Sequence, residues 1–275
     1  MIYVRNLQNT MKLYSKEFAI AKEAIIKASA AVMDVYESSK SLDIEIKNDN
    51  SPVTRADYIS NKIIVDQLKD AFPSYGILSE ETNDDKSRLE KEYIWIIDPL
   101  DGTKDFIKHD DEFAINIALA KNGEIVLGLI MVPVINELYY AIKGKGSYIL
   151  NNKGENLKIK VSNKKDNLIL AISREHVSKK DLEFISQNKN LIKEVKKCGS
   201  SYKSCLLAKG EIDVQLKLAP GSKEWDIAPC DLLVSEAGGV FSKPNSEKYV
   251  YNKEDVNNYD GYIALNKSRK EFYER

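Results

Sequence analysis

Six carboxylates in this sequence stand where short apolar runs end, a placement that suits chemistry better than packing. Asp98 and Asp101 lie in "WIIDPLDG", where Pro99 and Gly102 force a turn at the end of a strand-like run. Two carboxylates held that close repel unless a cation sits between them. The same residues also read as a plain hairpin turn, since Asp-Gly is a common turn dipeptide. Glu80 and Glu81 close the run "ILSEE", which equally describes a solvated loop. Asp57 in "SPVTRAD" follows Thr54 at the spacing of a capping box that opens a helix. Asp226 begins "DIAPCDLLVSEAGG" as an ordinary N-cap would, with Pro229 accommodated in the first turn. Each acid alone is unremarkable. Together they share element ends, none has a local basic partner, and the chain has two histidines and no paired Cys-x-x-Cys among its three cysteines. Oxygen donors without nitrogen or sulfur select hard cations, above all Mg²⁺. Two such ions about 4 Å apart activate water and stabilise the departing oxygen in phosphate displacement.

The elements that must hold these acids follow from periodicity. Leu13, Ala21, Ala24, Ala28, Ala31, Val32 and Val35 recur at three- and four-residue spacing, predicting a helix over residues 11–36. A second helix is expected over 55–69, burying Ile59, Ile63, Ile64 and Leu68. The texture then changes to "YIWIID", "FAINIALA", "EIVLGLIMVP" and "ELYYAI", separated by the turn signals "KNGE" and "PVIN", which predicts a largely antiparallel sheet. The Lys/Asn/Gly-rich stretch 151–167, with a possible strand "LKIKV" inside it, marks the boundary between a domain over 1–155 and one over 156–275. Beyond it "LILAIS", "EVKKCG" and "IDVQLKL" read as strands, and "KKDLEFISQN", "YKSCLLAKG" and "DIAPCDLLVSEAGG" as helices. The fold class is therefore α/β (α+β), with the elements stacked as an αβαβα sandwich.

Composition narrows the functional classes. With 275 residues, 43% hydrophobic and 30% charged, the chain is long enough for one large domain or two packed ones, and too apolar for disorder. Its 41 basic and 42 acidic side chains nearly cancel, so no global field advertises nucleic acid or an anionic membrane, and any anion must be held locally. No apolar run approaches the roughly 20 residues of a membrane span, and no signal-type core opens the sequence. Cytoplasmic placement is expected, with peripheral attachment to the inner membrane left open, as is the choice between monomer and homodimer.

"DPLDGTKDF" and "WDIAPCDLLVSEAGG", with "SPVTRAD" and "ILSEE" in the expected order, resemble the signature motifs of the inositol monophosphatase superfamily of Mg²⁺-dependent, lithium-sensitive phosphatases. The resemblance covers nearly the whole chain and implies the layered inositol monophosphatase/fructose-1,6-bisphosphatase fold. It implies that Glu80, Asp98, the Leu100 carbonyl, Asp101 and Asp226 ligate two or three Mg²⁺ ions, with Asp57 near a further ion or the attacking water. Most of these ligands would belong to the N-terminal domain, the C-terminal one completing the substrate pocket. The backbone N–H groups of Gly102 and Thr103 would cradle the phosphate. Catalysis would rest on Asp57, Glu80 and Thr103, which polarise the water attacking phosphorus in line.

Within the superfamily, "DPLDGTKDFI", "FAINIAL", "ISREH" and "GSSYKSCLLAKGEIDV" look most like the CysQ-type 3'(2'),5'-bisphosphate nucleotidases. That resemblance implies hydrolysis of the 3'-phosphate of adenosine 3',5'-bisphosphate, a by-product of sulfate assimilation. It also implies nucleotide contacts from His176, Ser201 and Lys203, with Asp226 bordering the substrate, although a solvated helix-start lysine and a surface histidine are the plainer readings. Lys217 stands where many relatives carry arginine, and "APC" replaces a run of small residues at the pocket floor. The alternatives are an inositol or other sugar monophosphatase and a non-catalytic nucleotide-binding regulator.

Overall fold

A computed structural model describes residues 14–38, 42–47 and 51–267. Helix α1 (Ser15–Tyr36) carries the three- and four-residue apolar stripe of the sequence, with Ala21, Ala24, Ala28, Val32 and Val35 buried; Leu13 and the start of the expected helix lie outside the described residues. A short hairpin, β1 (Glu45–Ile46) with β2 (Pro52–Val53), leads into α2 (Arg55–Ala71). These two helices lie against one face of a seven-stranded sheet.

That sheet runs in the order β3 (Gly76–Ser79), β4 (Tyr93–Asp101), β5 (Ala114–Lys121), β6 (Glu124–Val132), β7 (Glu137–Ile142), β8 (Gly146–Leu150), β9 (Asn156–Ile159). Only β3 and β4 pair in parallel, and every other neighbour is antiparallel. Its strands read as nearly continuous apolar runs because both faces are covered. Trp95, Ile97, Ile117 and Leu119 face α1 and α2, whereas Ile94, Ile96, Ala118 and Ala120 face the opposite layer. The "KNGE" signal is the two-residue β5–β6 loop, with Asn122 at φ 49° and Gly123 at φ 81°, the left-handed pair that a tight hairpin requires.

The second sheet has five strands, in the order β11 (Ile192–Cys198), β10 (Leu168–Ser173), β12 (Val214–Lys217), β16 (Tyr262–Leu265), β14 (Val240–Ser242). The first three run parallel, and β16 and β14 are antiparallel additions, while β13 (Ser222–Lys223) and β15 (Asn257–Asn258) pair only with each other. Between the two sheets lie α5 (Tyr202–Ala208) and α6 (Glu224–Glu236), buried in one apolar cluster with residues of both. Leu168, Leu170, Val214, Leu216, Ile263 and Leu265 face outward, packing with Phe184 and Ile185 of α4 (Lys179–Gln187). The result is five layers, α1/α2, sheet, α5/α6, sheet, α4, the αβαβα stacking expected from the sequence. Strand β9 falls inside the Lys/Asn/Gly-rich stretch yet completes the first sheet, so the crossing to the second runs over 160–167.

Helix α6 begins three residues earlier than its sequence suggests. Lys223 is the N-cap and Asp226 is the third helical residue, its Oδ2 accepting the Lys223 N–H at 2.7 Å, so Pro229 falls in the second turn. The helix reaches the first sheet closely because β6 offers glycine there. A Cβ on Gly128 would sit 3.1 Å from the Pro229 Cα and carbonyl oxygen. Among the described residues no helix is long and apolar enough to cross a membrane.

Candidate active site

Strand β4 ends in a bulge, and the chain turns at Gly102 into the short helix α3 (Thr103–Lys108). Gly102 adopts φ 93°, and a Cβ there would sit 3.2 Å from the Ser200 Cβ and 3.3 Å from Asp105 Oδ2. Both conditions demand glycine. The turn opens Asp98, Leu100, Asp101 and Thr103 onto a cleft of about 510 Å³ that Glu80 and Asp226 also line. The acids that the sequence scatters over nearly 150 positions thus meet at one place.

Electrostatics records how close they are. Burial pushes the Asp98 carboxyl well above its usual range, helped by the charges of Glu80, Asp101 and Asp226. Burial, Asp101 and Glu80 raise Asp226 to about 7. Asp101 is raised by burial as well, but Lys203, the Ser201 N–H and Asn116 pull the other way.

Asp57 does not line the cleft; it stands behind it. Its Oδ2 accepts both the Thr54 N–H and the Thr54 hydroxyl at 2.7 Å, completing the capping box of α2. Its Oδ1 lies 3.1 Å from the Thr103 hydroxyl, which is also 3.2 Å from the Leu100 carbonyl. The capping role and the functional role expected of Asp57 are therefore compatible, one oxygen serving each. Ser60 of α2 fixes the same turn by donating to the Pro99 carbonyl at 2.7 Å.

The acids have no basic partner nearby in sequence, as expected, but two of them have one across the fold. Lys47, from the β1–β2 hairpin, lies 2.9 Å from Glu80 Oε1 and also bridges Glu81. A partner 33 residues away leaves no local signal. Ser201 and Lys203 line the same cleft, and each is also bonded into the protein around Asp101. Ser201 donates its N–H to Asp101 Oδ2 at 2.5 Å and its hydroxyl to Asn116 Oδ1 at 2.8 Å. Lys203 is not a solvated helix-start residue. It is 5% exposed and donates to the carbonyls of Cys198 and Ser200 at 3.2 and 2.6 Å. The first turn of α5 faces the interlayer core, so both residues support Asp101 from beneath. His176 and Lys217 line the cleft as well. Cys230, from "APC", lies in its floor with the thiol 3.5 Å from the Asp226 carbonyl.

Other residues of the site escaped sequence reasoning. Asn116 is fully buried in β5 and contacts both Asp101 and Ser201. A lone polar residue in "FAINIALA" was the available signal. Arg174 pairs with Glu112 at 2.5 Å and lies 3.6 Å from Asp105, fastening the end of β10 to the α3 turn across 60 or more positions.

The donors fit a hard divalent cation: carboxylate and carbonyl oxygens only, with the carboxyls of Asp98, Asp101 and Asp226 raised in pKa first by burial and those of Asp98 and Asp226 further by neighbouring acids. Among the described residues, no group of three or more His, Cys, Asp or Glu side chains is drawn together closely enough to hold an ion as it stands. Glu80 is instead engaged by Lys47. The pKa pattern carries a testable consequence for the cation-free protein. Folding raises these carboxyls, so their contribution to stability is full below the unfolded value of about 3.9 and is lost as pH rises through the folded one. For Asp226 that window closes near 7. The melting temperature of chelated protein is expected to fall from pH 4 to pH 7, and Asp226→Asn should flatten the fall. An unchanged slope in the variant would contradict the assignment.

The chain is similar to known proteins in sequence and fold. The model of the inositol monophosphatase family matches residues 14–273. The 3'(2'),5'-bisphosphate nucleotidase CysQ of Escherichia coli K12 is 36% identical over 212 residues, covering 77% of this chain and 84% of that protein. The inositol-1-monophosphatase of Bacillus subtilis is 35% identical over 239 residues, covering 84% of this chain and 87% of that protein. The crystal structure of CysQ from Bacteroides thetaiotaomicron superposes with a TM-score of 0.81 at 33% identity, covering 92% of this chain and 98% of that one. With its layers and its sequence in agreement, this chain belongs to the inositol monophosphatase family and is a phosphatase of that kind.

Proposed function

We propose that this protein is a Mg²⁺-dependent phosphatase that removes the 3'-phosphate of adenosine 3',5'-bisphosphate, giving AMP and inorganic phosphate. The observation that carries this reading is the polarity of the cleft. Glu80, Asp98, Asp101 and Asp226 share the cavity with Lys104, His176 and Lys217. A cationic zone next to the reaction centre suits an ester with a second anionic group, and the relationship to CysQ agrees with that choice.

When bound, the divalent ions would supply charge neutralisation of the phosphoryl group and acidify water. Glu80, Asp98, the Leu100 carbonyl, Asp101 and Asp226 would hold them, with Asp57 bordering a further ion. The chain's own contribution is positioning. Asp57 and the Leu100 carbonyl compete for the single Thr103 hydroxyl proton, leaving its oxygen to accept a hydrogen bond from the attacking water. Glu80 and Asp57 are the nearby carboxylates that can take up a proton. The N–H groups at the start of α3 have no intrahelical partner and serve the phosphate oxygens.

A second reading, an inositol monophosphatase, is favoured by the Bacillus subtilis relative. Phosphate release from adenosine 3',5'-bisphosphate, adenosine 3'-monophosphate and inositol 1-phosphate, each with Mg²⁺, separates the two. The bisphosphate should give the highest kcat/KM. A higher value for inositol 1-phosphate would transfer the assignment to the second reading, and no release from any ester would favour a binding protein without catalysis.

A further inference from the structure

The carboxylates reach the cleft on separate segments, so their spacing depends on what joins those segments. Glu80 follows β3 and donates its N–H to the Ile97 carbonyl of β4 at 3.2 Å, whereas Asp226 rides on the first turn of α6. A buried polar chain runs between the two, and its hub is Arg88. This arginine sits in a 3₁₀ turn (Ser87–Glu90) and is 1% exposed. Its Nε and Nη2 clasp the Asp84 carboxylate at 3.0 and 2.8 Å, Nη1 donates to Asn252 Oδ1 at 2.6 Å, and Nη2 donates as well to the Lys253 carbonyl at 2.9 Å. All three nitrogens are engaged. Asp84 belongs to the loop that leaves Glu80, and a Cβ on Gly76, at the start of β3, would come within 2.9 Å of the Arg88 Cβ. The strand that delivers Glu80 therefore lies directly on Arg88.

The far side of the hub is the N-terminal turn of α6. Asn252 and Lys253 donate their N–H groups to Glu224 Oε2 and Oε1 at 2.7 and 2.9 Å, so the first residue of that helix grips the same two residues as the guanidinium. Glu224 is 1% exposed and donates its own N–H to the Val256 carbonyl at 3.0 Å. The segment then pairs back on the helix start. Strand β15 meets β13 with Asn257 opposite Lys223, and the Lys223 N–H is the one that Asp226 Oδ2 accepts at 2.7 Å. The path from the Glu80 loop to the Asp226 carboxylate is continuous.

A buried guanidinium is a poor source of stability, because apolar side chains of similar volume commonly hold a fold as well. Its rigid planar fork supplies geometry instead. Asp84, Arg88, Glu224 and Asn252 are not among the residues lining the cleft, so the chain acts on the carboxylates rather than on the substrate. We infer that Arg88 is a positioning residue for the divalent-cation site, bracing the Glu80 loop against the start of α6 and so fixing how Glu80 and Asp226 are spaced. The inference rests on the divalent-cation reading above and extends it to residues outside the cleft.

The test is Mn²⁺ binding to chelated protein, read from the paramagnetic resonance of the free ion, on wild type, Arg88→Lys and Asn252→Gly, with melting temperature and Mg²⁺-dependent kcat measured alongside. Lysine keeps the charge and loses the fork. Glycine keeps the left-handed backbone of residue 252, at φ 61°, and removes its amide. Losing a group that orients a metal ligand costs about 10- to 100-fold in affinity, so Arg88→Lys should weaken Mn²⁺ by about 10-fold or more. Asn252→Gly should shift it in the same direction by less. Half-saturating Mg²⁺ should rise with the Mn²⁺ dissociation constant, while kcat at saturating Mg²⁺ changes far less. A lowered melting temperature with wild-type Mn²⁺ affinity in both variants would make the network structural and overturn the brace. Should Arg88→Lys fail to fold, wild-type affinity in Asn252→Gly would overturn it alone. Wild-type protein that bound no Mn²⁺ would overturn the cation reading and the brace with it, a result distinct from unshifted variants of a wild type that binds.

Discussion

Asp98→Asn is expected to lower kcat by at least about 100-fold at saturating divalent cation and, in chelated protein, to raise the melting temperature. The loss of turnover follows from removing a charge that electrostatic stabilisation of phosphoryl transfer requires. The gain in stability follows from burial: this carboxyl is pushed upward by desolvation and by three neighbouring acids, so a neutral isostere relieves repulsion that the cation-free fold must otherwise bear. Asp101→Asn should abolish turnover equally without the same thermal gain, because Asp101 also balances the buried Lys203 and accepts the Ser201 N–H. Paired kcat and melting measurements distinguish the two carboxylates. A variant at either position retaining more than about a tenth of wild-type kcat would contradict a cation-ligating role.

Lys203→Met should reduce kcat/KM by a similar factor on every ester tested, roughly 10- to 100-fold, since small displacements of positioned groups cost on that scale. The ammonium of Lys203 holds the carbonyls of Cys198 and Ser200, and the turn they form presents the Ser201 N–H to Asp101. Its effect passes through a carboxylate common to all substrates. Adenosine 3',5'-bisphosphate, adenosine 3'-monophosphate and inositol 1-phosphate are the panel. A loss confined to the bisphosphate would instead return Lys203 to the role of a second-phosphate contact.

How much of this was legible beforehand can be traced residue by residue. The apolar alternation of β4 to β7 and the three- and four-residue stripe of α1 are local patterns, and they appear in the structure as elements close to the predicted ones. That Glu80, Asp98, Asp101 and Asp226 share one cleft was legible only from the acids taken jointly, since each alone fits a turn, a loop or a helix cap. Strands β14 and β16 went unread, being short and lacking turn signals of their own, and their pairing with β12 is decided by the tertiary fold. Long-range pairs were hidden for the same reason: Lys47 with Glu80, and Arg174 with Glu112, join segments whose separation in sequence carries no periodicity. The orientation of α5 was the costliest omission. A "GSSYK" motif identifies the residues, but only the packing of that helix between the sheets turns Ser201 and Lys203 toward Asp101.

The central claim is that the converging carboxylates form a divalent-cation site for phosphate-ester hydrolysis. Its most direct test is release of inorganic phosphate from adenosine 3',5'-bisphosphate by chelated enzyme as Mg²⁺ is titrated back, on wild type and Asp98→Asn. Wild type should be inactive without the ion and rise to saturation, while the variant stays at least about 100-fold below it throughout. Undiminished release from the chelated wild type, or a titration curve of equal height for Asp98→Asn, would contradict the account.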